Sequence, residues 1–222
     1  MRPQHRCNRL SISLALILTC PITFAQAGFR GDFLLQSNGK SCGNQVFAPV
    51  VGYLSETYAA WPAVGDFNGD GILDIVAVTN ADELTILLGK KNGTFQQGGS
   101  FPGVVGNLAV GDFNGDGKLD VASWSYTGIN VLLGNGDGTF QAAKESVFNE
   151  PLYSIAAGDF NHDGKLDLAA LDGGDPSVVV LLGNGDGTFQ SPVSYPADLS
   201  PMSIAVADFD GDGVLDLAVS NW

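Results

Sequence analysis

An acidic, glycine-punctuated string returns four times along this chain at nearly constant spacing. Gly-Asp-Phe-Asn-Gly-Asp-Gly begins at Gly65 and again at Gly111. Gly158-Asp159-Phe160-Asn161-His162-Asp163-Gly164 is the third copy and Ala207-Asp208-Phe209-Asp210-Gly211-Asp212-Gly213 the fourth. The leading aspartates Asp66, Asp112, Asp159 and Asp208 lie 46, 47 and 49 residues apart. A second string falls between them: Asn92-Gly93-Thr94-Phe95-Gln96, then NGDGTFQ at 135–141 and 184–190. Self-similarity at such a period means stacked copies of one supersecondary unit.

Each unit breaks into four short apolar pieces. In the third they are Ser154–Gly158, Leu166–Leu171, Ser177–Leu182 and Phe189–Tyr195, with Asn184-Gly185-Asp186-Gly187 as a turn rich in residues that tolerate positive φ. Four antiparallel strands per roughly 40–50 residues is the unit of a β-propeller blade. The central runs Leu73–Val78 and Val178–Leu182 are apolar on both faces, as expected for a sheet sandwiched between neighbours. No repeat holds a helical period long enough for a helical solenoid. The predicted fold is all-β: a propeller with full blades at 59–102, 103–150 and 151–198 and an incomplete one at 199–222. Residues 28–58 read as an N-terminal half-blade or linker, because Phe33-Leu34-Leu35, Asn38-Gly39 and Phe47–Val51 loosely match the back half of a repeat.

Residues 1–27 read as a secretory signal. Arg2, Arg6 and Arg9 precede an apolar run from Leu10 to Cys20, too short to span a membrane, and Ala25-Gln26-Ala27 is a small-x-small cleavage site. No other stretch reads as transmembrane. Removing this segment takes three arginines and no acid, so the net charge moves from −14 to −17. It also takes Cys7 and Cys20, which leaves Cys42 with no internal disulfide partner. The expected location is secreted, extracellular or cell-surface, with the periplasm also open. Such negative charge argues against nucleic acid and against an anionic membrane surface. It favours cations.

The four acidic loops hold 13 of the 24 acids. Counting from each leading aspartate, side-chain oxygens fall at positions 1, 3, 5 and 9, glycine sits at position 6, and the position 7 carbonyl is available. The sets are Asp66, Asn68, Asp70, Ile72 and Asp74; Asp112, Asn114, Asp116, Lys118 and Asp120; Asp159, Asn161, Asp163, Lys165 and Asp167; and Asp208, Asp210, Asp212, Val214 and Asp216. Hard oxygens in this number suit Ca²⁺, whereas zinc and copper favour His or Cys. The fourth loop carries one more carboxylate and is expected to bind most tightly. Leu73, Leu119, Leu166 and Leu215 at position 8 are expected to point away from the oxygens and to anchor each loop in the blade. An EF-hand would place glutamate at position 12; here it is Ala77, Ser123, Ala170 and Val219.

The strings DFNGDGxLD and GNGDGTF resemble the FG-GAP/VCBS repeat family, also found in the propeller heads of integrin α subunits. The resemblance covers nearly all of residues 59–222. It implies a calcium-bearing propeller, usually of about seven blades, with the residues above as ligands. About three and a half repeats then fit either a ring closed by two half-blades or a piece of a larger ring, and the family's usual blade number favours the second. His162 departs from the glycine at position 4 of the other loops. Members of the family serve in adhesion, in lectin-like binding and as accessory domains.

Two functional classes follow. One is a calcium-rigidified binding or adhesion module for protein or glycan, in which Trp61, Trp124, Tyr126 and Tyr153 stack on sugars or pack between blades. Arg30-Gly31-Asp32 spells an integrin-recognition tripeptide, a pattern short enough to arise by chance. The alternative is the non-catalytic propeller portion of a secreted polysaccharide-active enzyme. An activity of the chain itself is not expected. The acids outside the loops, including Asp82, Glu83, Glu145, Glu150, Asp172 and Asp175, form no pair suited to glycoside hydrolysis. Asp172-Gly173-Gly174-Asp175 reads as a turn. Open sheet edges would also allow self-association.

Overall fold

The computed structural model describes residues 34–35, 51–53, 59–79, 82–125, 128–148, 152–198 and 200–221. The signal segment, the Arg30–Asp32 tripeptide, Cys42, Tyr126 and most of the 28–58 segment lie outside the described residues. Within them every regular element is a strand. No helix among them is long and apolar enough to cross a membrane.

Two short strands, β1 (Leu34–Leu35) and β2 (Val51–Gly52), pair antiparallel with Leu34 opposite Gly52. Three four-stranded antiparallel sheets follow. The first holds β3 (Ala59–Gly65), β4 (Asp74–Thr79), β5 (Glu83–Gly89) and β6 (Phe95–Pro102). The second holds β7 (Leu108–Gly111), β8 (Asp120–Trp124), β9 (Gly128–Leu132) and β10 (Lys144–Val147). The third holds β11 (Leu152–Gly158), β12 (Asp167–Asp172), β13 (Ser177–Leu181) and β14 (Val193–Pro196). A two-stranded sheet, β15 (Pro201–Ala207) with β16 (Asp216–Asn221), repeats the first half of the pattern. In each sheet the strands pair in chain order, as in a propeller blade.

The sheets stack through their first strands: β3 lies against β7, β7 against β11 and β11 against β15. The core therefore sits between blades. Val76, Val78, Leu84 and Ile86 of the first blade share a cluster with Val121 and Leu132 of the second. Ala122, Ile129 and Val131 share another with Leu168, Ala170, Val179 and Leu181 of the third. All six positions of β4 are buried: Val76 and Val78 pack towards the second blade, while Ile75 clusters with Leu87, Tyr53, Ala59 and Phe95. Polar clamps reinforce the stack. The Asn107 side chain donates to the Ile155 carbonyl and accepts from the Ile155 N–H, both at 3.1 Å. The Lys144 ammonium donates to the Asp186 carbonyl at 2.7 Å.

A glycine–leucine interlock sets how closely blades approach. A Cβ on Gly65 would fall 2.5 Å from Leu119 Cδ1, on Gly111 2.3 Å from Leu166 Cδ1, and on Gly158 2.7 Å from Leu215 Cδ1. Only glycine leaves that notch open. The position 8 leucines Leu119, Leu166 and Leu215 thus seat against the notch glycine of the preceding blade. Leu73, with no described blade before it, is 47% exposed.

Candidate metal centres

Each acidic loop links the first two strands of its sheet, and the same internal hydrogen bonds shape all of them. In the first loop Asp66 accepts from the N–H of Asp70 (3.1 Å) and of Gly71 (2.8 Å). Asn68 Oδ1 accepts from the Asp70 N–H at 2.9 Å, and Asp70 Oδ1 from the Ile72 N–H at 2.8 Å. The bonds recur at Asp112, Asn114 and Asp116, with Lys118 N–H as the last donor. They recur at Asp159, Asn161 and Asp163 with Lys165. They recur at Asp208, Asp210 and Asp212 with Val214. Position 4 requires a left-handed backbone, with φ of 71°, 75° and 80° at Gly69, Gly115 and Gly211. His162 adopts it too, at 58°, and its loop keeps the common hydrogen bonds.

The position 9 aspartates tie the loop to the sheet. Asp74 accepts from the N–H of Phe67 (3.0 Å) and of Gly89 (2.8 Å), and is fully buried. Asp120 does the same with Phe113 and Gly134, and Asp167 with Phe160 and Gly183. Burial pushes the Asp74 and Asp120 carboxyls above the ordinary value of 3.8. The two backbone N–H groups pull each down, and the neighbouring loop carboxylates push it up again. Asp216 accepts from the Phe209 N–H at 3.0 Å and is half-buried.

The donor set fits a hard cation. An ionised carboxylate offers about four lone-pair sites, so oxygens that accept one backbone N–H keep capacity for a cation. In the fourth loop Asp208, Asp210 and Asp216 each bring an oxygen within 4.8 Å of the others, the one carboxylate group of this kind among the described residues. The other loops carry an asparagine oxygen at position 3 instead. Lys118 offers a local counter-charge, with its ammonium 3.4 Å from Asp116.

The second repeated string has a role that local turn chemistry does not reveal. Its loop reaches across to the acidic loop of the preceding blade. The Gly138 N–H donates to the Phe67 carbonyl at 3.0 Å, and the Gly187 N–H to the Phe113 carbonyl at 3.0 Å. Phe140 packs edge-on against Phe67, centroids 5.7 Å apart, and Phe189 against Phe113 at 6.1 Å. Within the loop, Asp137 Oδ1 accepts from the Thr139 N–H (3.0 Å) and hydroxyl (2.6 Å). Those bonds, the hydroxyl's foremost, hold its carboxyl below the ordinary value. Phe67 and Phe113 are 2% exposed under their clasps, whereas Phe209 is 60% exposed.

Outside the loops, Gly174 donates to Asp172 at 2.7 Å in the expected turn. Trp61 and Tyr153 are exposed, and Trp124 packs edge-on against Tyr153 at 6.4 Å. A crevice of about 390 Å³ opens between the outer strands of the second and third blades, lined by Ser146, Phe148, Phe189, Gln190 and Ser191.

No curated protein sequence matches the chain. Among solved structures it is similar to a lectin of Agrocybe aegerita that recognises non-reducing terminal N-acetylglucosamine, at 25% identity and a TM-score of 0.56. That match covers 84% of this chain and 54% of the lectin, so the chain spans about half the lectin's length. A second likeness, to the Tc holotoxin pore of Photorhabdus luminescens, has 19% identity and a TM-score of 0.50 and covers 72% of this chain and 8% of that one. It speaks to the fold alone. The family model for the FG-GAP-like repeat matches three overlapping windows, residues 66–123, 112–170 and 159–219, each running from one acidic loop through the next. With most of its length so matched, the chain belongs to the FG-GAP-like repeat family.

Proposed function

We propose that the protein is a secreted calcium-binding module that presents a propeller surface to a protein or carbohydrate ligand. The observation that carries this reading is the convergence of Asp208, Asp210 and Asp216 oxygens in a loop whose backbone recurs in three further copies. Asp66, Asn68, Asp70 and Asp74 and their counterparts would hold the ion, with the carbonyls of Ile72, Lys118, Lys165 and Val214 completing each set. Bound Ca²⁺ supplies charge neutralisation and cross-links the loop. The protein's own part is to pre-shape the loop by backbone hydrogen bonds, so little ordering remains when the ion arrives. Membership of the repeat family and the likeness to a lectin support binding as the role. The crevice lined by Phe148 and Phe189 with Ser146, Gln190 and Ser191 combines aromatic and polar residues, as a sugar site would need. No catalytic role is proposed: of the acids outside the loops, Asp137, Asp172 and Asp186 are each engaged in their own turns.

Thermal unfolding with CaCl₂ against EGTA tests the ion. Calcium is expected to raise the melting temperature, because it binds folded loops in preference to the unfolded chain. Identical curves would overturn the assignment. A glycan and protein array probed with and without EGTA tests the ligand class, and an array silent in both conditions would contradict the binding role.

A further inference from the structure

We propose that Asn135 and Asn184, which open the two NGDG clasp loops, are sites of spontaneous deamidation, and that the change unlatches the clasp between blades. The inference rests on the hydrogen bonds of the clasps and stands whether or not the acidic loops hold an ion.

An asparagine followed by glycine is the pair most open to this chemistry, because no Cβ shields the glycine nitrogen. That nitrogen, on giving up its proton, bonds to the asparagine Cγ. The Cγ–Nδ2 bond breaks, ammonia leaves with the proton, and a cyclic succinimide closes. Water then opens the ring, adding its hydroxyl to one carbonyl carbon and its proton to the nitrogen. Attack at Cγ gives aspartate. Attack at the main-chain carbonyl carbon gives isoaspartate, with the backbone rerouted through Cγ.

Five Asn-Gly pairs lie among the described residues, beginning at Asn68, Asn92, Asn114, Asn135 and Asn184. For the ring to close, the side chain must swing onto the glycine nitrogen, and bonds to the amide oxygen or the glycine N–H have to break first. The fold holds three pairs in this way. Asn68 Oδ1 accepts from the Asp70 N–H at 2.9 Å, and its Nδ2 donates to the Asp70 carboxylate at 3.3 Å. Asn114 Oδ1 accepts from the Asp116 N–H at 2.9 Å, and the Gly115 N–H donates to Asp112 at 2.7 Å. Asn92 Oδ1 accepts from the Thr94 N–H and hydroxyl, and the Gly93 N–H donates to the Lys90 carbonyl at 2.8 Å.

Asn135 and Asn184 differ. Both are exposed, and each amide is tied by one bond, from Nδ2 to the hydroxyl of Thr139 or Thr188 at 2.9 Å. Among the described residues, neither their amide oxygens nor the N–H groups of Gly136 and Gly185 take part in a hydrogen bond. Packing also fixes the glycine. Gly136 and Gly185 have φ of 78° and 79°, and a Cβ would fall 2.9 Å from Lys118 Cδ in one and 3.1 Å from Lys165 Cδ in the other. The reactive pair is therefore built into the turn.

The product does not fit the clasp. The Thr139 hydroxyl gives its proton to Asp137 at 2.6 Å, so it accepts from residue 135. An ionised carboxylate there has no proton to give, and two carboxylates would meet at one hydroxyl. Isoaspartate would instead lengthen the backbone between the Asn135 N–H, bonded to the Thr139 carbonyl at 2.9 Å, and the Gly138 N–H, bonded to the Phe67 carbonyl at 3.0 Å. Either change pulls on the bond that joins the blades.

Peptide mapping by mass spectrometry tests this on the full chain stored at mildly alkaline pH, folded and in guanidinium chloride. In the folded chain the mass gain that marks exchange of amide for carboxyl is expected several-fold faster at Asn135 and Asn184 than at Asn68, Asn92 and Asn114. In denaturant all five are expected to convert at similar rates. Equal rates in the folded chain, or a folded chain that stays unreacted while the denatured one converts, would overturn the proposal. The same ranking in denaturant would trace it to sequence and overturn it too. Asn135→Asp makes one product directly and is expected to lower the melting temperature. Asn92→Asp, which installs the aspartate that the other clasps carry as Asp137 and Asp186, is expected to leave it unchanged. Matching shifts in the two variants would contradict the unlatching.

Discussion

The second and fourth acidic loops share almost every residue and every internal hydrogen bond, yet they live in different environments. In the second, Phe113 is buried beneath Phe189, and the Gly187 N–H caps the Phe113 carbonyl. In the fourth, the equivalent Phe209 lies open and Asp216 is half-buried. Loop conformation is therefore local, fixed by aspartate oxygens turning back on N–H groups two to five residues away. Burial is not local. It arrives with the next blade, and a buried aromatic of this size contributes on the order of 1.5–3 kcal/mol. A propeller of such repeats gains stability by stacking, while its acidic loops are shaped one at a time.

The largest effect expected from this contrast is at the aromatic. Phe113→Ala should lower the unfolding free energy by about 3–5 kcal/mol, and Phe209→Ala, at a ring that is 60% exposed, should change it little. Urea unfolding checks the pair, and equal losses would break the contrast. The clasp itself comes next. Gly138 and Gly93 both hold left-handed backbone, φ 82° and 80°, but a Cβ on Gly138 would fall 2.9 Å from Leu88 Cδ2 while one on Gly93 meets nothing within 4 Å. Alanine at either should cost about 1–2 kcal/mol for the left-handed conformation, with a further loss at Gly138 alone. Matching melting shifts would show that the clasp contributes nothing. The smallest effect concerns Asp137. Asn92 already accepts from the Thr94 N–H and hydroxyl in the first repeat, so Asp137→Asn should leave the melting temperature at neutral pH unchanged. Because the Asp137 carboxyl lies below its ordinary value when folded, its contribution is present above 3.8 and is lost as pH falls through the lowered value. The asparagine variant should lack that acid-side loss, and an unaltered pH–melting profile would contradict the assignment.

The sequence shows the period, the apolar central strands and the oxygen-rich loops because each is a local pattern: an apolar run without polar alternation, a glycine where φ must be positive, an oxygen every second residue. It also predicts that the fourth loop is the most acidic. The interlocks are not legible in the same way. Gly138 lies far along the chain from Phe67, and the NGDG string is already explained by turn chemistry, so nothing local points to its partner. Leu119 likewise reads as an ordinary core leucine until Gly65 is found against it. The signal was present in combination: the phenylalanine after each aspartate and the one after each GT pair recur together, although no single turn needs either ring. The position 9 aspartates carry a second role that spacing hides, since a buried carboxylate bridging Phe67 and Gly89 looks in sequence like one more ligand.

Calcium titration calorimetry on the folded chain tests most directly whether the acidic loops bind a divalent cation. Measurable heat saturating at several ions per chain, with one site lost in Asp212→Ala and none lost in Asp172→Ala, is the predicted result. Absence of heat from CaCl₂, or the same isotherm in Asp212→Ala as in wild type, would contradict it.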